Sequence, residues 1–223
     1  VNGMVAKKRS KKSMKPESKT PTKISLRDKI LQECIKITSE SGTNGINMRE
    51  ISRRLNISHM APYKHFASKE EILTELKILG YKMFSQSLEK NLPLPESSNA
   101  LENRFKIMMH NYEEFTKTHP ELYQIIFNSK NPNMQKNLEL EEVSTRSFSI
   151  LINQIASMKA AGLMGEVDVF EAALLTFIMT HGFMTLRNNR NIESLKYCFQ
   201  SDVDEFKLFD TFLRKAIFKN TDS

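Results

Sequence analysis

Residues 47–73 read NMREISRRLNISHMAPYKHFASKEEIL. Asn47 and Glu50 have the spacing of a capping box, in which each side chain satisfies the other's free backbone N–H. The helix they open carries Met48, Ile51 and Leu55 on one face. Asn56, Ile57 and Ser58 then form a tight turn: asparagine tolerates the left-handed backbone such a corner needs, and Ile57 plugs the corner. Ser58 is a good N-cap for a second short helix over 59–66. Pro62 lies in its first turn, where a missing N–H costs little. Ser68 and Glu71 repeat the capping box and start a third helix, whose positive end suits Glu70 and Glu71. Lys69 opposes that dipole, either as a solvated side chain or because it and the helix end hold a DNA phosphate together. Two short helices joined by such a turn make a helix-turn-helix, whose second helix enters the major groove of DNA.

The helical pattern extends outward from this stretch. Leu26, Ile30, Cys34 and Ile37 form an amphipathic stripe on a preceding helix, which Gly42 ends. Beyond residue 73, helices alternate with stops at 92–95, 120, 131–132, 162–165, 188–191 and 201–202. No strand-like alternation bounded by hairpin turns appears. The expected fold is all-α, with about nine or ten helices. Residues 24–70 form a three-helix helix-turn-helix domain and 71–223 a larger helical bundle.

Composition narrows the function. The 223 residues carry a net charge of +7, a balance that favours polyanionic partners. Residues 1–23 hold eight basic residues and one acidic residue, so they contain the whole excess. This stretch has almost no large apolar residues and reads as a disordered basic tail, either simply solvated or lying along DNA phosphates. It lacks the apolar segment of a secretory signal and the apolar face of a membrane-surface helix. No uninterrupted apolar run approaches the length of a membrane span, so no membrane partner is expected. The two cysteines, Cys34 and Cys198, have no metal or disulfide-framework spacing and are expected to stay reduced in a cytoplasm. Phosphate-binding, nucleophile-elbow, zinc-protease and dinucleotide fingerprints are absent, so neither enzymatic activity nor a cofactor is expected.

Residues 26–73 resemble the DNA-binding domain of the tetracycline-repressor (TetR/AcrR) family of bacterial transcriptional regulators. The likeness lies in the Gly42–Gly45 link, the helix and turn MREISRRLNIS, the YKHF end of the second helix and the SKEEIL start of the third. Tyr63, Phe66 and Lys69 fall on characteristic positions; Asn56 stands where the family often has Gly. The resemblance implies that Arg49, His59, Met60, Ala61 and Lys64 face bases. Lys64 would donate to guanine, and Ala61 or Met60 would touch a thymine methyl. Asn47, Ser58, Tyr63, His65 and Lys69 form the expected phosphate set, which positions the protein without reading sequence. Core packing is the alternative for Met60 and for the Tyr63 ring.

The larger domain resembles the C-terminal domain of one TetR subgroup, in which a Trp-x-x-x-His-Gly (WHG) stretch recurs. Phe177 stands at the Trp position, followed by His181 and Gly182. The family implies a small, apolar effector and a homodimer. The candidate pocket residues are Phe105, Met109, Tyr112, Phe127, Phe148, Phe177 and His181, with ordinary core as the alternative. The candidate dimer residues are Phe206, Phe209, Phe212, Leu213 and Ile217, on a helix whose apolar arc is wider than one core stripe needs. His110 with Glu113 and Glu114 is too small a set to be read as a metal site. The expected function is a cytoplasmic, ligand-responsive homodimeric repressor on a pseudo-palindromic double-stranded operator. The alternative is a DNA-binding protein with a structural or partner-driven role and no effector.

Overall fold

The computed structural model describes residues 24–128 and 137–218. The basic tail and the stop expected at 131–132 lie outside them. Among the described residues the chain forms nine α-helices: α1 Leu26–Ser41, α2 Met48–Leu55, α3 Lys69–Leu88, α4 Ser98–Thr118, α5 Pro120–Asn128, α6 Leu138–Ala160, α7 Val169–Asn188, α8 Asn191–Cys198 and α9 Glu205–Ile217. No strand occurs among these residues beyond an isolated bridge between Met164 and Phe218.

The helix ends follow local chemistry. Ser25, Asn47, Ser68, Ser97, Asn137, Asp168 and Asp204 each accept a backbone N–H from the first turn of the helix they precede. Gly42 ends α1 at φ 67°, and its N–H bonds the Thr38 carbonyl. Asn56 ends α2 in the left-handed region at φ 51°.

The helix expected over 59–66 is instead a sequence of tighter turns around a 3₁₀ segment, Pro62–Lys64. Pro62 has no N–H to give the Ser58 carbonyl, which accepts from Ala61 at 2.9 Å. The chain continues in three-residue steps, with Lys64 donating to Ala61 and His65 to Pro62.

Ile30, Cys34, Ile37, Ile46, Ile51 and Phe66 are buried in the small domain. Burial pushes the Cys34 thiol up to about 12, with the neighbouring Glu33 charge adding to the effect. Cys34 is therefore a protonated core residue, whereas Cys198 is exposed. The long helix α3 leaves this domain and packs against α4, α5 and α6. Gly80 lets α5 approach closely, because a Cβ there would meet Ile126 Cγ2 at 2.6 Å. Tyr81 fastens the same contact by donating to the Ile126 carbonyl. The free carbonyls of Leu88 and Lys90 at the end of α3 accept from the Asn111 side chain of α4.

By length and composition, α7 is apolar enough to cross a membrane, with a mean hydropathy of 1.5 over 18 residues. Thr176, Thr180 and His181 interrupt it, so it does not stand out in the sequence as a continuous apolar run. Core helices pass the same test. One face packs inward through Ala172, Ala173 and Met184, while Leu174, Leu175, Ile178 and Leu186 remain exposed.

Candidate nucleic-acid interface and effector cavity

The recognition segment is held by two buried side chains and presents the rest outward. Pro62 and Phe66 are buried; Ser58, His59, Met60, Tyr63, Lys64 and His65 are exposed. Met60 is 63% exposed and Tyr63 43%, so neither is used up in the core. The Tyr63 ring instead lies 6.1 Å from that of His59. Ala61 is half-buried. Phe66 fixes the end of the segment beneath the Arg27 guanidinium at 5.1 Å, and Arg27 is held by Glu75.

Arg49 is exposed on the first turn of α2 and shares a polar groove with Asn47 and Arg53. Asn47 accepts from Glu50 N–H and donates to the Gly45 carbonyl. Lys69 donates to the Asn44 carbonyl at 3.3 Å, which ties the start of α3 to the link before α2. An ammonium has three donors, and this contact uses one of them.

One expected feature is only half made. Glu50 does not cap back onto Asn47. Its carboxylate takes Arg53 at 2.7 Å and Arg54 at 2.7 Å, and Arg54 continues to Glu40 of α1. Two charged donors outcompete one amide N–H. In the second box, Glu71 reaches back to the Ala67 N–H, one residue before the cap. The signal for the Arg54 cluster in the sequence is the i, i+3 and i, i+4 spacing of Glu50 with Arg53 and Arg54, which competes with the capping-box reading of the same glutamate.

The hydrogen bonds from Arg53 and then Arg54 hold the Glu50 carboxyl down at about 2. A depressed carboxylate stabilises the fold above its ordinary value of 4.5 and loses that contribution as pH falls toward about 2. Thermal melts of the protein should therefore drop across this window, and Glu50→Gln should flatten that part of the profile. Identical pH profiles for the two proteins would show that the cluster does not contribute.

The larger domain contains a half-open cavity of about 520 Å³ lined from α3, α4, α5, α6 and α7, with the exposed Phe170 and Leu174 at its mouth. Of the expected pocket residues, Met109, Tyr112, Phe127, Phe148 and Phe177 line it. Phe105 does not: it is buried at the far side, 5.8 Å from the Phe218 ring. His181 stands behind the wall, stacked on Phe177 at 5.7 Å, with Nδ1 2.7 Å from the Tyr123 hydroxyl. Burial lowers the His181 pKa and favours the neutral ring, whose Nδ1 shares a hydrogen bond with the phenol. Phe84, Met108, Ser147 and Thr180 complete much of the wall, and no pattern in the sequence set them apart from core.

The expected dimer residues divide. Leu213 and Ile217 are each 1% exposed and belong to the chain's own core. Phe206 and Phe209 pack on Phe183 at 5.2 and 4.5 Å within the chain. Only Phe212 projects outward, at 59% exposure, with Leu208 beside it on the exposed face. Glu113, considered with His110, is engaged by Arg187 and Lys117.

An exposed recognition segment beside a helical domain with an apolar cavity defines a class: helix-turn-helix regulators with a separate helical C-terminal domain. Residues 30–76 match the family described as bacterial regulatory proteins, tetR family. Residues 105–206 match the tetracyclin repressor-like C-terminal domain. The chain belongs to the TetR family of transcriptional regulators, which act by binding DNA and are not enzymes.

Several solved structures share the fold. A protein with unknown function from Rhodococcus sp. RHA1 is 24% identical, with a TM-score of 0.69 over 89% of this chain and 98% of that one. The TetR family transcriptional regulator PfmR from Thermus thermophilus is 24% identical, with a TM-score of 0.57 over 70% of this chain and 84% of that one. The regulator FadR from Bacillus subtilis, in complex with stearoyl-CoA, is 14% identical, with a TM-score of 0.61 over 83% and 95%. No curated sequence matches the chain.

Proposed function

We propose that this protein is a cytoplasmic, homodimeric repressor that releases a pseudo-palindromic operator when a small apolar effector enters the larger domain. The observation that carries the reading is the 520 Å³ apolar cavity in the same chain as an outward-facing recognition segment. A closed interior would have favoured a structural or partner-driven role. The bound stearoyl-CoA of B. subtilis FadR supports effector binding by proteins of this fold.

The geometry also supports a route between the two sites. Tyr112 lines the cavity on α4, and its hydroxyl is 3.4 Å from that of Tyr123 on α5. Helix α5 packs against α1 of the DNA-binding domain. A ligand that displaces the Tyr112 ring therefore pushes on a helix that touches the small domain. The resulting shift is bounded by the ligand's preference for one arrangement over the other.

The test is footprinting of the full chain on the DNA flanking its own gene. A discrete footprint with two half-sites about 34–36 Å apart is expected. Protection without a discrete site under any condition would refute the reading.

A further inference from the structure

The cavity lining restricts the chemistry of what it can hold, and this inference rests on the effector reading above. Among the described residues, no Asp, Glu, Lys, Arg or His lines it. Arg146, the chain neighbour of the lining residue Thr145, reaches Glu89 at 3.4 Å. A charged group placed deep in the cavity, against its buried wall, loses its hydration and finds no counter-ion. A carboxylate there would bind chiefly as the neutral acid.

Most hydroxyls on the wall are already committed. Ser144 donates to the Glu141 carbonyl, Thr176 to that of Ala172, and Ser147 bonds Ser85 and the Val143 carbonyl. Thr180 differs. It is 1% exposed, and its hydroxyl faces only the Met109 sulfur at 3.7 Å. A thioether is a weak acceptor, so the Thr180 hydroxyl keeps most of its capacity to donate and accept. At about 30 Å³ per water-sized group, 520 Å³ holds on the order of fifteen non-hydrogen atoms.

We infer that the cavity selects an uncharged, mainly apolar molecule of roughly that size, bearing one hydroxyl or carbonyl that meets the Thr180 hydroxyl. A coenzyme A thioester, such as the stearoyl-CoA bound by B. subtilis FadR, carries phosphates for which this lining offers no cation.

The experiment uses the full chain and the neutral fluorophore N-phenyl-1-naphthylamine, displaced by decane, decan-1-ol, decanoate and decanoyl-CoA. Near pH 8, decan-1-ol should displace the dye at about one-tenth the concentration decanoate requires or less, and the gap should narrow toward about pH 5 as the acid is neutralised. Thr180→Val should shrink the advantage of decan-1-ol over decane by about three- to tenfold, the worth of one hydrogen bond. Decanoate or decanoyl-CoA binding as well as the alcohol near pH 8 would overturn the assigned ligand class while leaving the cavity as the effector site. An alcohol advantage untouched by Thr180→Val would overturn the anchor. If no compound binds, or if Ile152→Trp, which intrudes into the cavity, leaves the affinity for the dye unchanged, both the effector reading and this inference fall.

Discussion

A chain carrying Ile178→Glu and Phe212→Glu is expected to run as a monomer and to lose operator affinity by about a hundredfold or more. Both side chains are well exposed, 56% and 59%, so neither change disturbs the protein's own core. They lie on α7 and α9, which pack against each other and leave Leu174, Leu175 and Leu186 exposed beside Ile178, with Leu208 beside Phe212. Adjoining large apolar side chains of this kind mark an interaction surface. Gly182 lies among them on α7, and a Cβ there would meet nothing within 4 Å, so the chain's own packing does not require glycine. A glycine in the middle of a helix costs about 1 kcal/mol relative to alanine, and close approach by a second helix is a use that offsets this. Paired charges on the surface would oppose the same helices of a second copy. The loss of affinity follows from linkage: two half-sites joined in one dimer exceed either alone by about 10² to 10⁴. Light scattering and DNA titration on the variant check this. A variant that remains dimeric and binds normally would move the interface elsewhere, with exposed Leu195, Tyr197 and Phe199 around α8 the next surface to test.

The parts of this molecule legible in the sequence are those fixed by chemistry within one helical turn. Asn47 and Ser68 cap helices because the N–H groups they satisfy lie three residues away. Asn56 turns the chain because the left-handed backbone is a property of that residue alone. The misreadings occur where a local preference meets a distant partner. Glu50 had the spacing of a cap, but Arg54, already held by Glu40 of α1, was the stronger partner. Along α9, Phe212 and Leu213 are neighbours of similar hydrophobicity, yet one is exposed and the other buried. An apolar arc of that width does not say which edge faces the chain's own core. The same holds for Phe105 and Phe177, equally apolar and both on long helices. Only the packing of α6 and α7 around the void makes the second a cavity wall.

Lys64→Ala and Lys69→Ala are expected to weaken DNA binding in different ways, which separates base reading from anchoring. Lys64 ends the 3₁₀ segment with an exposed side chain. If it donates to guanine O6 and N7, its loss costs about 1–3 kcal/mol at one base position. That is roughly a five- to 150-fold change, confined to operators with guanine there, and operators altered at that position should bind the variant nearly as well as the native sequence. Lys69 lies at the start of α3, where the helix end and the ammonium together suit a phosphate. Its removal should weaken every sequence by a similar factor and lower the log–log salt slope by about 0.9. It also removes the bond to the Asn44 carbonyl, so a melting curve must accompany the titration. If the two variants shift affinity equally across all operators, Lys64 is an anchor too. Sequence reading then falls to Arg49, His59 and Met60, whose side chains are exposed as well.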